Sequence, residues 1–135
     1  MPEIHLQFGA IIGATVARMA VGALWYSPPL FVKPWMAMAG ISDQQMKEGM
    51  GKAIGLDLLG SFIMAFVLVH AIRYAGATTA LQGLAVGFLN WLGFVATILI
   101  GSVTYERKPF KYFLINGGYQ LVSIMAMGAI LAVWG

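Results

Sequence analysis

Residues 53–73 read AIGLDLLGSFIMAFVLVHAIR, and between Ala53 and the closing Arg73 the run holds a single charged side chain, Asp57. A helix needs about 20 apolar residues to cross the hydrocarbon core of a bilayer. A water-facing helix would need a polar face that this run lacks. Three further stretches share its character: Ile4 to Tyr26, Thr79 to Val103, and Phe110 to Trp134. Backbone groups left unpaired cannot face lipid, and the short alternating strands of a barrel are missing, so all four stretches read as helices.

The expected fold class is therefore all-α. It is a single integral membrane bundle of four transmembrane helices covering 1–135, with helices at about 4–26, 53–73, 79–103 and 110–134. Composition agrees. Hydrophobic residues make up 60% and charged residues 10% of the chain, against roughly 25% charged in soluble domains. The mean hydropathy is +0.82. The net charge of +3 comes from Lys and Arg too scattered to track a phosphate backbone, so nucleic acid is not an expected partner. With no cysteine in the chain, disulfides, thiolate metal sites and Cys nucleophiles are excluded. Met1-Pro2-Glu3-Ile4-His5 lacks the basic start of a signal peptide, so the first helix is expected to be retained.

The connector 27–52 carries turn and cap signals. Pro28-Pro29 stops the first helix, Pro34 suits the first turn of a short helix through Trp35 to Ala39, and Gly40 suits its end. Ser42 and Gln45 match a capping box, with Ile41 and Met46 placed as its hydrophobic staple. Two short interfacial helices are expected there, with Trp25, Tyr26 and Trp35, and Phe31 beside them, as headgroup-level anchors. Tyr26-Ser27-Pro28-Pro29-Leu30-Phe31 also loosely parallels Tyr105-Glu106-Arg107-Lys108-Pro109-Phe110, a faint sign of a repeated hairpin.

Basic residues give the orientation. Lys33, Lys47, Lys52, Arg107, Lys108 and Lys111 fall in the first and third connectors, whereas the opposite side has Arg73. The positive-inside rule puts those connectors in the cytoplasm and both termini outside it.

A charge near the centre of a spanning helix costs about 2.5–3.5 kcal/mol on insertion scales, so each needs a partner or a wet cavity. Arg18 lies roughly 13 Å from the cytoplasmic end of the first helix, and Asp57 enters the second from the same side. The two are expected to pair. Asn116, Gln120 and Ser123 share one face of the fourth helix; Asn90, Thr97 and Thr104 recur every seven residues in the third; Asp57, Ser61 and Met64 mark the second. The candidate intramembrane cluster is Arg18, Asp57, Asn90, Asn116 and Gln120. It reads either as a structural tie between helices, or as part of a substrate or ion pathway.

The GxxxG spacings Gly9/Gly13, Gly51/Gly55 and Gly83/Gly87 suit close packing inside the bundle more than self-association. His5 and His70 have no second ligand at metal spacing. Asp57 and His70 stand 13 residues apart on one helix, about 20 Å, which removes a Ser-His-Asp triad. No catalytic residue, cofactor or metal site is expected.

Gly22-Ala23-Leu24-Trp25-Tyr26-Ser27-Pro28, followed by Phe31 and Lys33-Pro34-Trp35-Met36, resembles the signature of a bacterial membrane family called domain of unknown function 1761. Trp91-Leu92-Gly93-Phe94-Val95-Ala96-Thr97 and Phe113-Leu114-Ile115-Asn116-Gly117-Gly118-Tyr119 extend the resemblance over nearly the whole chain. It implies a small four-helix protein of the bacterial inner membrane, and carries no activity, substrate or catalytic residue to transfer. The functional expectation is an oligomeric transporter or channel for a small solute or ion. The alternative is a non-catalytic accessory or structural subunit of a larger membrane complex. Either way the lipid bilayer is a partner, with copies of the chain or other subunits.

Overall fold

The computed structural model describes residues 6–134. Its helices are α1 (Phe8–Trp25), α2 (Val32–Ala39), α3 (Asp43–Ala75), α4 (Ala80–Thr104) and α5 (Phe110–Trp134). Four of them, α1, α3, α4 and α5, are long and apolar enough to span a membrane. The chain is thus an all-helical, multi-pass membrane protein.

The start of α1 differs from the expected Ile4. Ile4 and His5 lie outside the described residues, and Gln7 is extended, so the helix opens at Phe8. At its other end Ser27 Oγ donates to Leu24 O at 2.6 Å and the Phe31 amide reaches Trp25 O. The two prolines following Ser27 cannot continue the helix. Pro34 sits in the first turn of α2, where its missing N–H costs nothing. Gly40 then ends the helix in the left-handed conformation, φ 73°, which favours glycine.

The connector departs from expectation in one respect. Ser42 and Gln45 do form the capping box, with Gln45 N donating to Ser42 Oγ and Ser42 N to Gln45 Oε1. The helix they open is not a second short surface helix, however. It runs without a break into the second membrane span, 33 residues in all. The interval Asp43–Lys52 holds no proline, and glycine alone weakens a helix by about 1 kcal/mol without stopping it. At 1.5 Å per residue α3 is about 50 Å long, against a hydrocarbon core of about 30 Å. Its first turns, with Lys47, Glu48 and Lys52, extend beyond the apolar run.

Gly76, φ 72°, ends α3, and a Thr79–Gln82 capping box opens α4. A π-helical stretch, Trp91–Ala96, interrupts α4. The extra residue per turn breaks the seven-residue spacing expected of Asn90, Thr97 and Thr104. The suspected repeat also dissolves: the prolines after α1 lead into a separate helix, whereas Pro109 immediately precedes α5.

α5 is the hub and packs against the other three long helices. Ala10, Ile11 and Ala14 of α1, Ala65, Val69 and Ile72 of α3, and Met127 and Leu131 of α5 close the core with no exposed surface. α4 lies along α5 and touches α3 only sparsely. Its approach is set by glycine. A Cβ on Gly83 would collide with the Gly128 carbonyl, and one on Gly87 would stand 2.7 Å from Ile124 O. The Gly83/Gly87 pair therefore acts in internal packing, as does Gly9/Gly13 beneath the Trp134 ring. Gly51 and Gly55 face open space.

Candidate functional site: the Arg18 junction

Helix periodicity puts Asp57 and Ser61 one turn apart on α3, and Asn116 and Gln120 one turn apart on α5. Arg18 of α1 meets both faces. Its Nη1 donates to Asp57 Oδ1 at 2.8 Å and to Ser61 Oγ at 2.7 Å, and its Nη2 donates to Gln120 Oε1 at 3.0 Å. The guanidinium carbon lies 5.1 Å from the centre of the Tyr119 ring. One side chain thus joins three helices.

Burial is uneven across the pair. Arg18 is buried, whereas the Asp57 side chain retains 45% of its exposure. Arg18 Nε is also buried and has no hydrogen-bond partner among the described residues. A lone guanidinium at this depth would be costly; a carboxylate, a hydroxyl and an amide oxygen offset that cost. Asp57 is the component that meets the surroundings.

Of the five residues expected to cluster, Arg18, Asp57 and Gln120 come together in direct contact. Asn116 sits one layer away, where its Oδ1 accepts from Tyr26 Oη at 2.7 Å. The Tyr26 ring bridges the layers through an edge contact with Tyr119 at 5.4 Å. Asn90 does not join them. Its Nδ2 turns back to Val86 O at 2.9 Å, and it lines a groove on the other side of α3. A short polar side chain in a helix readily satisfies itself on the preceding turn.

The aromatic anchors are tied to neighbouring helices and to one another. Trp25 Nε1 donates to Ile115 O at 2.9 Å, its ring over Gly118, where a Cβ would stand 3.0 Å away. Tyr26 turns inward to Asn116, and Trp35 stacks edge-on against Tyr26 at 5.5 Å. Trp35 Nε1 is buried without a hydrogen-bond partner among the described residues. The aromatic end of α1 is a packed joint to α5. Several ties gave no sequence signal, since nothing in spacing pairs residues this far apart. Trp91 Nε1 donates to Gly117 O, Arg73 Nη2 to Leu131 O, and Lys108 Nζ to Met38 O at the end of α2. The last places a cation at a helix C-terminus, where the dipole favours it.

Open grooves flank α3 on the outside of the bundle among the described residues. One, about 400 Å³, runs between α1 and α3 past Ile12, Val16, Leu59 and Phe62. The other, about 370 Å³, lies between α3 and α4, with Ile124 of α5 at its back.

Four apolar helices of membrane-spanning length, three of them joined by a buried arginine, define a small multi-pass membrane protein. The family described as Protein of unknown function (DUF1761) matches residues 9–132, nearly the whole chain, and the protein belongs to that family. No curated protein and no solved structure matches it.

Proposed function

We propose that this chain is a non-catalytic accessory or structural subunit of a membrane assembly, with the Arg18 junction setting the angle between α1, α3 and α5. The observation that carries this reading is the use of both Arg18 amino groups by acceptors of the chain itself. The core two or more turns further along the bundle is filled by Ile11, Val69, Ile72 and Met127, and the grooves on either side of α3 have apolar walls. Such a bundle offers surfaces to neighbours more readily than a path through its centre. The basic connectors face the cytoplasm of a bacterial inner membrane in this proposal, which puts both termini outside.

Transport of a small solute or ion is the second reading, and the half-exposed Asp57 carboxylate favours it. The chain lacks cysteine, so Ser61→Cys places a unique thiol beside Arg18. The subunit reading expects it to stay unlabelled by a membrane-impermeant thiol reagent in intact vesicles. Rapid labelling would favour a conduit. Native mass spectrometry after gentle extraction supplies the second arm: other subunits travelling with the chain support the accessory role, and a homo-oligomer alone supports transport.

A further inference from the structure

We propose that the groove between α3 and α4 binds a membrane amphiphile with an amine-bearing headgroup, the tail lying along α3 and the ammonium on Asp57. Gly60, Met64, Val67 and Ala71 line the groove. They follow Asp57 at i+3, i+7, i+10 and i+14, a single stripe of one helix. On α5 the groove reaches Ile124, and Gln120, which holds Arg18, stands one turn before it. Both helices therefore run from the Arg18 junction straight into the apolar groove. Asp57 is not itself in the groove's lining but stands one turn before Gly60 on the same stripe, and a polar group just beyond the end of an apolar trough suits an amphiphile.

Dimensions select the occupant. From Gly60 to Ala71 the trough is about 16 Å long, close to the thickness of one leaflet of a hydrocarbon core of about 30 Å. Its 370 Å³ falls among small-molecule sites. A helix about 10 Å across would need on the order of 1,200 Å³ over the same length. No atom lies within 4 Å of where a Gly60 Cβ would stand, and the π-helical stretch of α4 contributes Phe94 and Val95 to the opposite wall.

Charge selects the headgroup. Asp57 gives one oxygen to Arg18, and its second oxygen makes no hydrogen bond among the described residues. A half-exposed carboxylate at the edge of the apolar region attracts a cationic or N–H-donating group and disfavours a headgroup of net negative charge. This proposal goes beyond the subunit reading and does not depend on it.

Native mass spectrometry of the detergent-extracted chain, titrated with phosphatidylethanolamine or phosphatidylglycerol of matched acyl chains, tests it. The expected result is a preference for phosphatidylethanolamine of about 5-fold, worth roughly 1 kcal/mol. Asp57→Asn should bring the two lipids to within about 2-fold. Gly60→Leu fills the trough and should lower retention of both by about 10-fold, with the helical circular dichroism unchanged. Because Gly60 lies outside the junction, that variant stands even if Asp57→Asn misfolds. Retention of neither lipid, equal retention of both by the unaltered chain, or a lipid-free dimer dispersed by Gly60→Leu would overturn the proposal.

Discussion

α3 and α4 both cross the membrane, yet they are attached to α5 by opposite means. α3 is held through Arg18, which bonds Asp57 and Ser61 on one side and Gln120 on the other. α4 is held by backbone meeting backbone at Gly83, Gly87 and Gly128, plus the Trp91–Gly117 bond. Only 11% of the membrane window of α4 is buried, against 44% for α5. Lipid tails are as apolar as leucine, so a helix in a bilayer gains little from hiding apolar surface and must be held by close fit or by polar bonds. This bundle relies chiefly on polar bonds at α3 and on close fit at α4.

The comparison can be broken most forcefully at the ion pair. Asp57→Ala leaves Arg18 buried with neutral partners, and removing one member of a buried pair costs about 3–5 kcal/mol. Arg18→Met leaves Asp57 half-exposed and free to take up a proton or an outside partner, so it should cost less than Asp57→Ala. Unfolding in mixed detergent–SDS micelles reads both, and equal losses would contradict the unequal burial of the pair. Next comes the glycine contact. Gly83→Leu forces a side chain into the Gly128 backbone and should cost about 1–3 kcal/mol. The loss should be local, with tryptophan emission shifting as Trp91 leaves Gly117 while α3 and α5 stay paired. A single loss of the whole bundle would show that the two attachments are not independent.

Smaller effects sharpen the picture. Tyr26→Phe removes the bond to Asn116 and should cost about 0.6 kcal/mol, the average for such bonds in membranes, read as a small shift of the same unfolding midpoint. Gly55→Ala meets no atom within 4 Å and should stabilise α3 by about 0.5–1 kcal/mol through helix propensity alone. Destabilisation of the extracted complex by Gly55→Ala would instead reveal a partner packed on that face.

Much of this was legible beforehand. Arg18 and Asp57 could be paired because two charges entering the membrane from one side must find each other, and Gln120 followed from its helix face. Ser61 stood on the same stripe as Asp57. Tyr119, by contrast, carries no charge and gave no signal that it lies under a guanidinium. Asn90, nearer the midplane than Asn116 by its place in the sequence, was expected in the same cluster, yet the two diverge because Asn116 faces Tyr26 across a helix joint and Asn90 satisfies itself on Val86. Trp25 and Tyr26 had the composition of an interfacial belt; only the position of α5 turned them inward. The continuous α3 was missed because a capping box marks where a helix starts and says nothing of where it stops.

By itself the sequence determined the solvent, the number of spans, the helix starts at Ser42 and Thr79, and the need to neutralise Arg18. Those follow from local chemistry: hydropathy, cap residues and the cost of a charge in hydrocarbon act within a few residues of one another. The tertiary structure alone decided which glycine pair seats a helix, where the π-helical stretch falls, and that Asp57 is half-exposed while Arg18 is enclosed. Each of these depends on the relative placement of helices far apart in the chain, which no local spacing encodes.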